Sequence, residues 1–305
     1  MKKFYLFVIA IVAVITVFVS WEGARFVFSS ASEDSVPVTF EVQPGASFHQ
    51  IAEKLVEQGL VTNRLYFKIL SRVLNYSGRM QVGEYSLRAT MSPLEILQIL
   101  SSGKSIQYAI TFQEGLNMYE MAQLIENQGR GSQKEFLRLC RDQTLIKELL
   151  GESRPSLEGY LYPNTYYLAR HTALETLVRN MVKGALSAYE KAAEGAAIKM
   201  PRHSAIILAS IIEKETGAAH ERPLIASVFH NRLKKGMRLQ SDPTIIYGML
   251  HSTGVMPKNI KKRDIMAYTK FNTYRVKAHP FGPIANPGGE AMRAAHNPTP
   301  SDYLY

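Results

Sequence analysis

The sequence predicts an α+β protein with one membrane-spanning helix at its N-terminus, strand–helix modules after it, and a mixed α/β domain at its C-terminal end. Three observations predict this. An uncharged apolar run opens the chain. A strand–turn–helix pattern then occurs twice. The C-terminal third alternates apolar helices with loops stiffened by proline and glycine.

At 305 residues, 46% of them apolar and 20% charged, the chain can bury a sizeable core and form more than one domain. Its net charge of +10 suggests an acidic partner: a membrane surface, nucleic acid or an anionic polymer. The single cysteine, Cys140, rules out an internal disulfide framework and a Cys-based zinc site, and it reads as core.

Lys2 and Lys3 precede an uncharged run from Phe4 to Trp21. As a helix this run is roughly 27 Å long, close to the hydrocarbon thickness of a bilayer. It exceeds the apolar core of an ordinary signal peptide, and Ser29-Ser30-Ala31 is only a weak cleavage signal. The expectation is a cytoplasmic tail over 1–3, a transmembrane helix over 4–21 and a polar linker over 22–36. The paired lysines favour a cytoplasmic N-terminus, with Arg25 weakening the contrast. The bulk then lies outside the cytoplasm, which excludes nucleic acid despite the charge.

Val38, Phe40 and Val42 alternate as a strand; Pro44-Gly45 turns; Ser47 caps a helix that buries Ile51, Ala52, Leu55 and Val56. A second helix, NRLYFKILSRVL, a strand, GEYSLRA, and a capped helix, SPLEILQILSSG, follow. The segment 40–59 returns at 110–129, with Gln43/Gln113, Gly45/Gly115, Ala52/Ala122, Gln58/Gln128 and Gly59/Gly129 identical. This is either a duplicated module or a chance recurrence of a common pattern. Tyr160, Tyr162, Tyr166 and Tyr167 crowd around Pro163, as core or as a surface for stacking on sugars. Residues 172–198 read as one long helix.

Ser204 to Thr216 reads as a buried helix running into Glu213-Lys214-Glu215. Two positions apart on a helix point in nearly opposite directions, so the two carboxylates cannot form one dyad on one face. Glu215 lies in line with Leu208, Ile211 and Ile212, and Glu213 with Ile206, Ala209 and Ser210. The more apolar surroundings of Glu215 raise its pKa, the requirement for a general acid at neutral pH. Glu213 reads as an ion-paired or hydrogen-bonded support. The competing reading makes both solvated residues at a helix end, with Gly217 as the stop. Asp242-Pro243 reads as a helix start, with Asp242 as N-cap. Gln240, Asp242, Tyr247, Asn272 and Tyr274 are the candidate binding residues beside Glu215, with Arg238 nearby. A helix-end acid among such groups is the chemistry of a carbohydrate cleft. There is no HExxH, G-x-S-x-G, Walker or Rossmann pattern, and the eight histidines are scattered, so no metal or cofactor is expected.

ASIIEKETG, RLQSDPTIIYG, FNTY and GPIANPG, in this order and with LEGYLYPNTY before them, resemble the endolytic murein transglycosylase family, also called YceG-like. The resemblance implies a single-pass inner-membrane protein with a LysM-like domain (37–106), a connecting region (107–198) and a catalytic domain facing the cell wall (199–305). It implies Glu215 as the catalytic acid. It also implies peptidoglycan glycan strands and the inner membrane as partners, with penicillin-binding peptidoglycan synthases as candidates. Where the family usually has Asp, this chain has Asn164, so no essential charge is expected there. The family typically continues past Tyr-Leu-Tyr into a strand pair and tail; the sequence ends at Tyr305, and the expectation is either a weakened fold or a more open cleft. The reaction expected is cleavage between N-acetylmuramic acid and N-acetylglucosamine that leaves 1,6-anhydro ends. A muramidase-type hydrolase with Asp242 as second carboxylate, and a non-catalytic wall-binding scaffold, are the rivals.

Overall fold

The computed structural model describes residues 2–33 and 35–305. Met1, which begins the expected tail, and Asp34, in the expected linker, lie outside the described residues; so do the side chains of Lys2 and Lys3, on which the orientation rests. The chain is mixed α/β and forms two compact units, one reaching to Tyr108 and taking in Tyr167–His171, the other Ala109–Tyr166 with Thr172–Tyr305.

Helix α1 (Lys2–Phe28) opens the first unit. Its segment Phe7–Phe28 is long and apolar enough to cross a membrane, with mean hydropathy 2.2. The expected linker over 22–36 is therefore corrected at its start: residues 22–28 are helical. The reason is packing. Phe26 is buried and meets the Tyr66 ring edge-on at 5.6 Å, and Val27 packs beside it.

The body of this unit is a β–α–α–β module. Strand β1 (Pro37–Val42) leads to α2 (Phe48–Glu57) and α3 (Arg64–Val73), and β2 (Gly83–Arg88) returns antiparallel to β1, from Pro37 opposite Arg88 to Val42 opposite Gly83. Ser47 accepts from the Gln50 amide, and the Gln50 side chain accepts from Ser47, a capping box that fixes the start of α2. Helix α4 (Pro93–Ser102) begins with the same device, Ser92 and Glu95, and stops at left-handed Gly103. Phe40, Leu55, Phe67, Leu87, Ile96 and Leu100 are fully enclosed between strands and helices.

Strand β3 (Tyr108–Thr111) pairs with β4 (Thr165–Leu168). Between them lie α5 (Met118–Asn127), α6 (Gln133–Leu139) and α7 (Gln143–Leu150). Cys140 is buried after α6. Then come α8 (Leu174–Ala193), α9 (Arg202–Glu215), α10 (Arg222–Lys234), α11 (Asp242–Thr253), the short α12 (Lys262–Met266) and α13 (Gly289–His296). Helix α9 is buried on every side from Ala205 to Glu213, so it is the central helix of the second unit, with α10, α11 and α13 packed on it. Ile207, Leu208, Ile211, Ile212, Phe229 and Met292 form that core.

The two copies of the repeat share one local structure. Gly45 and Gly115 have φ of 77° and 78°, a left-handed turn that a side chain resists. α2 and α5 start and stop at equivalent positions, and each begins with a capping box.

Candidate active site

Three segments of the second unit meet at the C-terminal end of α9. α9 supplies Glu213 and Glu215. The turn before α11 supplies Gln240, Ser241 and Asp242. The loop after α12 supplies Thr273 and Tyr274.

Glu215 is the last residue of α9 and is solvent-exposed, but its carboxyl is held. Ser241 Oγ donates to Glu215 Oε1 at 2.5 Å. Loss of water around the carboxyl raises its pKa; the Ser241 bond works against this, the negative Asp242 adds to it, and Arg232 opposes it. Glu215 lines an open cavity of about 320 Å³ with Ile225, Phe229, Arg232, Gln240, Tyr303 and Tyr305.

Ser241 is buried and locked from behind. Its amide donates to Thr273 Oγ1 at 2.9 Å, and its carbonyl accepts from Thr244 Oγ1 at 2.6 Å. Gln240, just before it, has φ of 51°, a conformation costing a non-glycine residue on the order of 1 kcal/mol. Its amide donates to the Thr273 carbonyl at 3.3 Å. The backbone reversal is thus imposed by neighbours, and it places Gln240 in the cavity wall.

Glu213 sits on the opposite side of α9 and is the more deeply buried of the two acids, because α10 and the loop leading to α13 cover it. Arg222 donates to its Oε1 at 2.6 Å, and the Gly288 amide donates to its Oε2 at 3.0 Å. Burial still raises its pKa, with Gly288 and Arg222 acting the other way. The sequence argument gave Glu215 the more enclosed surroundings. The helix ends there, so its outer face looks onto the cavity rather than into the core.

The other candidates divide. Gln240, Asp242 and Tyr274 gather near Glu215: Tyr274 donates its phenolic proton to Asp242 Oδ1 at 2.7 Å. Burial and that bond push the Tyr274 phenol up to about 12. Asp242 is not the N-cap; Ser241 holds that position and makes no side-chain cap bond. Two residues point elsewhere. Tyr247 is buried and donates to Glu158 Oε2 at 2.8 Å. Asn272 is fully buried, its amide donating to the carbonyls of Ile265 and Ala267 at 3.0 and 2.7 Å while its oxygen accepts from the Tyr274 amide. The structure does not bring these two to the cavity beside Glu215: their polar atoms bond inside the protein. Among the described residues no group of three or more His, Cys, Asp or Glu could hold a metal ion.

A model of the YceG-like family matches residues 40–305. The chain belongs to the YceG-like family. A Bacillus subtilis (strain 168) relative, named endolytic murein transglycosylase, is 32% identical over 289 residues, covering 90% of this chain and 79% of its own. A Streptococcus pneumoniae (strain D39) relative of the same name is 28% identical over 302 residues; the chain spans about half of it, 53%. The crystal structure of a YceG-like protein from Listeria monocytogenes superposes with a TM-score of 0.57 at 30% identity, covering 88% of this chain and 92% of that one.

In this YceG-like chain sequence reasoning missed Ser241, Arg232, Glu158 and Asn286. Glu158 is buried and its carboxylate accepts from the Met118 amide, Tyr247 and Asn286 Nδ2. Asn286 Oδ1 in turn accepts from the amides of Gly159 and Leu161 at 2.8 and 2.9 Å. The two residues tie the loop before α13 to the LEGYLYP segment behind α9. Their signal was a polar residue within an otherwise apolar stretch, Glu158 beside Leu157 and Asn286 beside Ile284-Ala285.

Proposed function

We propose that this chain is a membrane-anchored lytic transglycosylase that cuts nascent peptidoglycan within the strand, between N-acetylmuramic acid and N-acetylglucosamine, with Glu215 as its acid and base. The observation that carries this reading is a carboxyl at a helix end, pushed up by partial loss of water and held by a hydroxyl, on the wall of an open cavity with apolar, aromatic and polar sides. Protonated Glu215 gives its proton to the glycosidic oxygen as the C1–O bond breaks. The carboxylate then takes the proton from the C6 hydroxyl while O6 closes on C1. The proton returns to Glu215, and no water is consumed. One carboxyl serves both steps, unlike the paired carboxyls of most glycoside hydrolases. Gln240 and Tyr274 are suited to hold sugar hydroxyl or N-acetyl groups, while Arg232, buried and donating to the carbonyls of Leu239 and Leu304, shapes the cavity wall. Glu213, clamped by Arg222 and Gly288, fixes the last turn of α9 and so acts as a positioning residue.

The apolar helix Phe7–Phe28 supports an inner-membrane anchor, and Lys2 and Lys3 before it favour a periplasmic placement of the chain that follows. The β–α–α–β order with its antiparallel strand pair supports a LysM-like module in the first unit. The curated relatives' shared name supports murein as substrate.

The test is digestion of purified sacculi with wild type and Glu215→Gln, followed by mass spectrometry. The expected result is 1,6-anhydro ends from wild type and a loss of at least roughly 100-fold in the variant. Reducing ends from wild type would favour the muramidase reading, with Asp242 as second carboxylate. Equal release by both proteins would remove Glu215 as the catalytic group, and no release by either would leave the scaffold.

A further inference from the structure

Helix α3 buries one side and leaves the other uncovered. Phe67, Leu70 and Ser71 face the core of the first unit. On the opposite side Leu65, Ile69 and Val73 are 62%, 49% and 74% exposed, spaced four apart in one row. Beside them runs a second row with the same spacing, Arg64, Lys68 and Arg72. The exposed face of α3 therefore has an apolar stripe edged by cations, the pattern of a helix lying in a membrane interface.

The position of α3 says which surface covers it. Tyr66, on this helix, meets Phe26 at 5.6 Å, and Phe26 belongs to the last turns of the apolar helix Phe7–Phe28. An anchor that ends at Phe28 brings its last turns to the bilayer surface, and α3 is packed against those turns. No length of free chain separates the two, because residues 22–28 are helical and docked. We infer that α3 is a second membrane contact: its Leu65–Ile69–Val73 row enters the interface of the leaflet where α1 emerges, and Lys68 and Arg72 meet anionic lipid headgroups, Arg64 being paired with Glu53 at 3.2 Å. The contact holds the first unit against the membrane rather than letting it swing on its anchor. This inference rests on the anchor reading of α1 given above.

The test uses the full chain in vesicles of phosphatidylglycerol and phosphatidylcholine. An environment-sensitive fluorophore is placed singly on cysteines introduced at Ile69, at Glu57 on α2 as an exposed control, and at Val14 within the anchor. Native Cys140 is buried and does not compete for label. Lipid-borne quenchers at shallow and deep positions then report depth. The expected result is quenching of the Val14 probe by the deep quencher, a blue shift and shallow quenching at 69, and neither at 57. Lys68→Gln with Arg72→Gln should lower the surface-contact equilibrium at 69 roughly fivefold per residue, about 1 kcal/mol each, and make it less sensitive to the fraction of anionic lipid. Quenching at 14 with none at 69 overturns the inference and leaves the anchor standing. A blue shift at 69 without lipid quenching also overturns it, and assigns the stripe to a protein partner or a second copy. No quenching at 14 removes the anchor reading, and the inference with it.

Discussion

Replacing Glu158 by glutamine makes the cost of its burial measurable. The carboxyl has no access to water, and burial pushes it up to about 7 despite the amide of Met118, Tyr247 and Asn286 acting the other way. The folded state thus holds the proton more tightly than the unfolded chain, where the ordinary value is 4.5. With the folded pKa above the unfolded one, the contribution to stability is fully present below pH 4.5 and is lost as pH rises through about 7. At ~1.4 kcal/mol per pH unit, the loss across that window is about 3 kcal/mol. Glutamine cannot titrate, yet it keeps one acceptor for Met118 and Asn286 and offers an N–H to the Tyr247 oxygen. The assay is urea unfolding of both proteins in detergent, followed by near-ultraviolet circular dichroism of the tyrosines, from pH 4.5 to 8. The wild-type stability minus that of Glu158→Gln should fall by about 3 kcal/mol across the series. A difference that stays constant within about 0.5 kcal/mol would refute the reasoning, since differences between closely matched variants resolve effects of that size.

Other consequences are equally direct. Ser241→Ala removes the bond that holds the Glu215 carboxyl down, so the basic limb of the activity profile should move to higher pH by roughly 0.5–1 unit, measured on soluble glycan fragments. Arg222→Leu leaves Glu213 buried and unpaired; a loss of about 3–5 kcal/mol is expected in thermal unfolding, largest at high pH where the carboxyl is charged. Gly159 has φ of 85°, and a Cβ there would stand 2.5 Å from Pro283 and 2.7 Å from Ile206. Gly159→Ala should cost roughly 2–5 kcal/mol by the same measurement.

What could be read from the sequence was what depends on near neighbours. The apolar period of α9, its end at Thr216, and the capped starts of α2 and α4 are set within a few residues, and the structure shows them as expected. The opposed directions of Glu213 and Glu215 follow from helix geometry alone. Long-range claims on side chains were not legible. Asp242 has the local pattern of an N-cap, but Tyr274 takes its carboxylate. Tyr247 and Asn272 look like surface polar groups in a linear reading; Glu158 and the carbonyls after α12 take their hydrogen bonds. The linker is a similar case. Glu22 to Phe28 looks polar and breakable until Tyr66, far along the chain, supplies a ring for Phe26 to pack on.

The paired strand–turn–helix segments carry a further implication. In the first, the turn at Gly45 borders an open hollow of about 350 Å³. In the second, the matching turn has no such freedom: Gly115 accepts from the Lys214 ammonium at 3.2 Å, and its own amide donates to Asn286. One bend faces an open hollow and the other is wedged behind the acid-bearing helix. Substitutions that the earlier bend tolerates should therefore be felt at the later one as displaced chemistry.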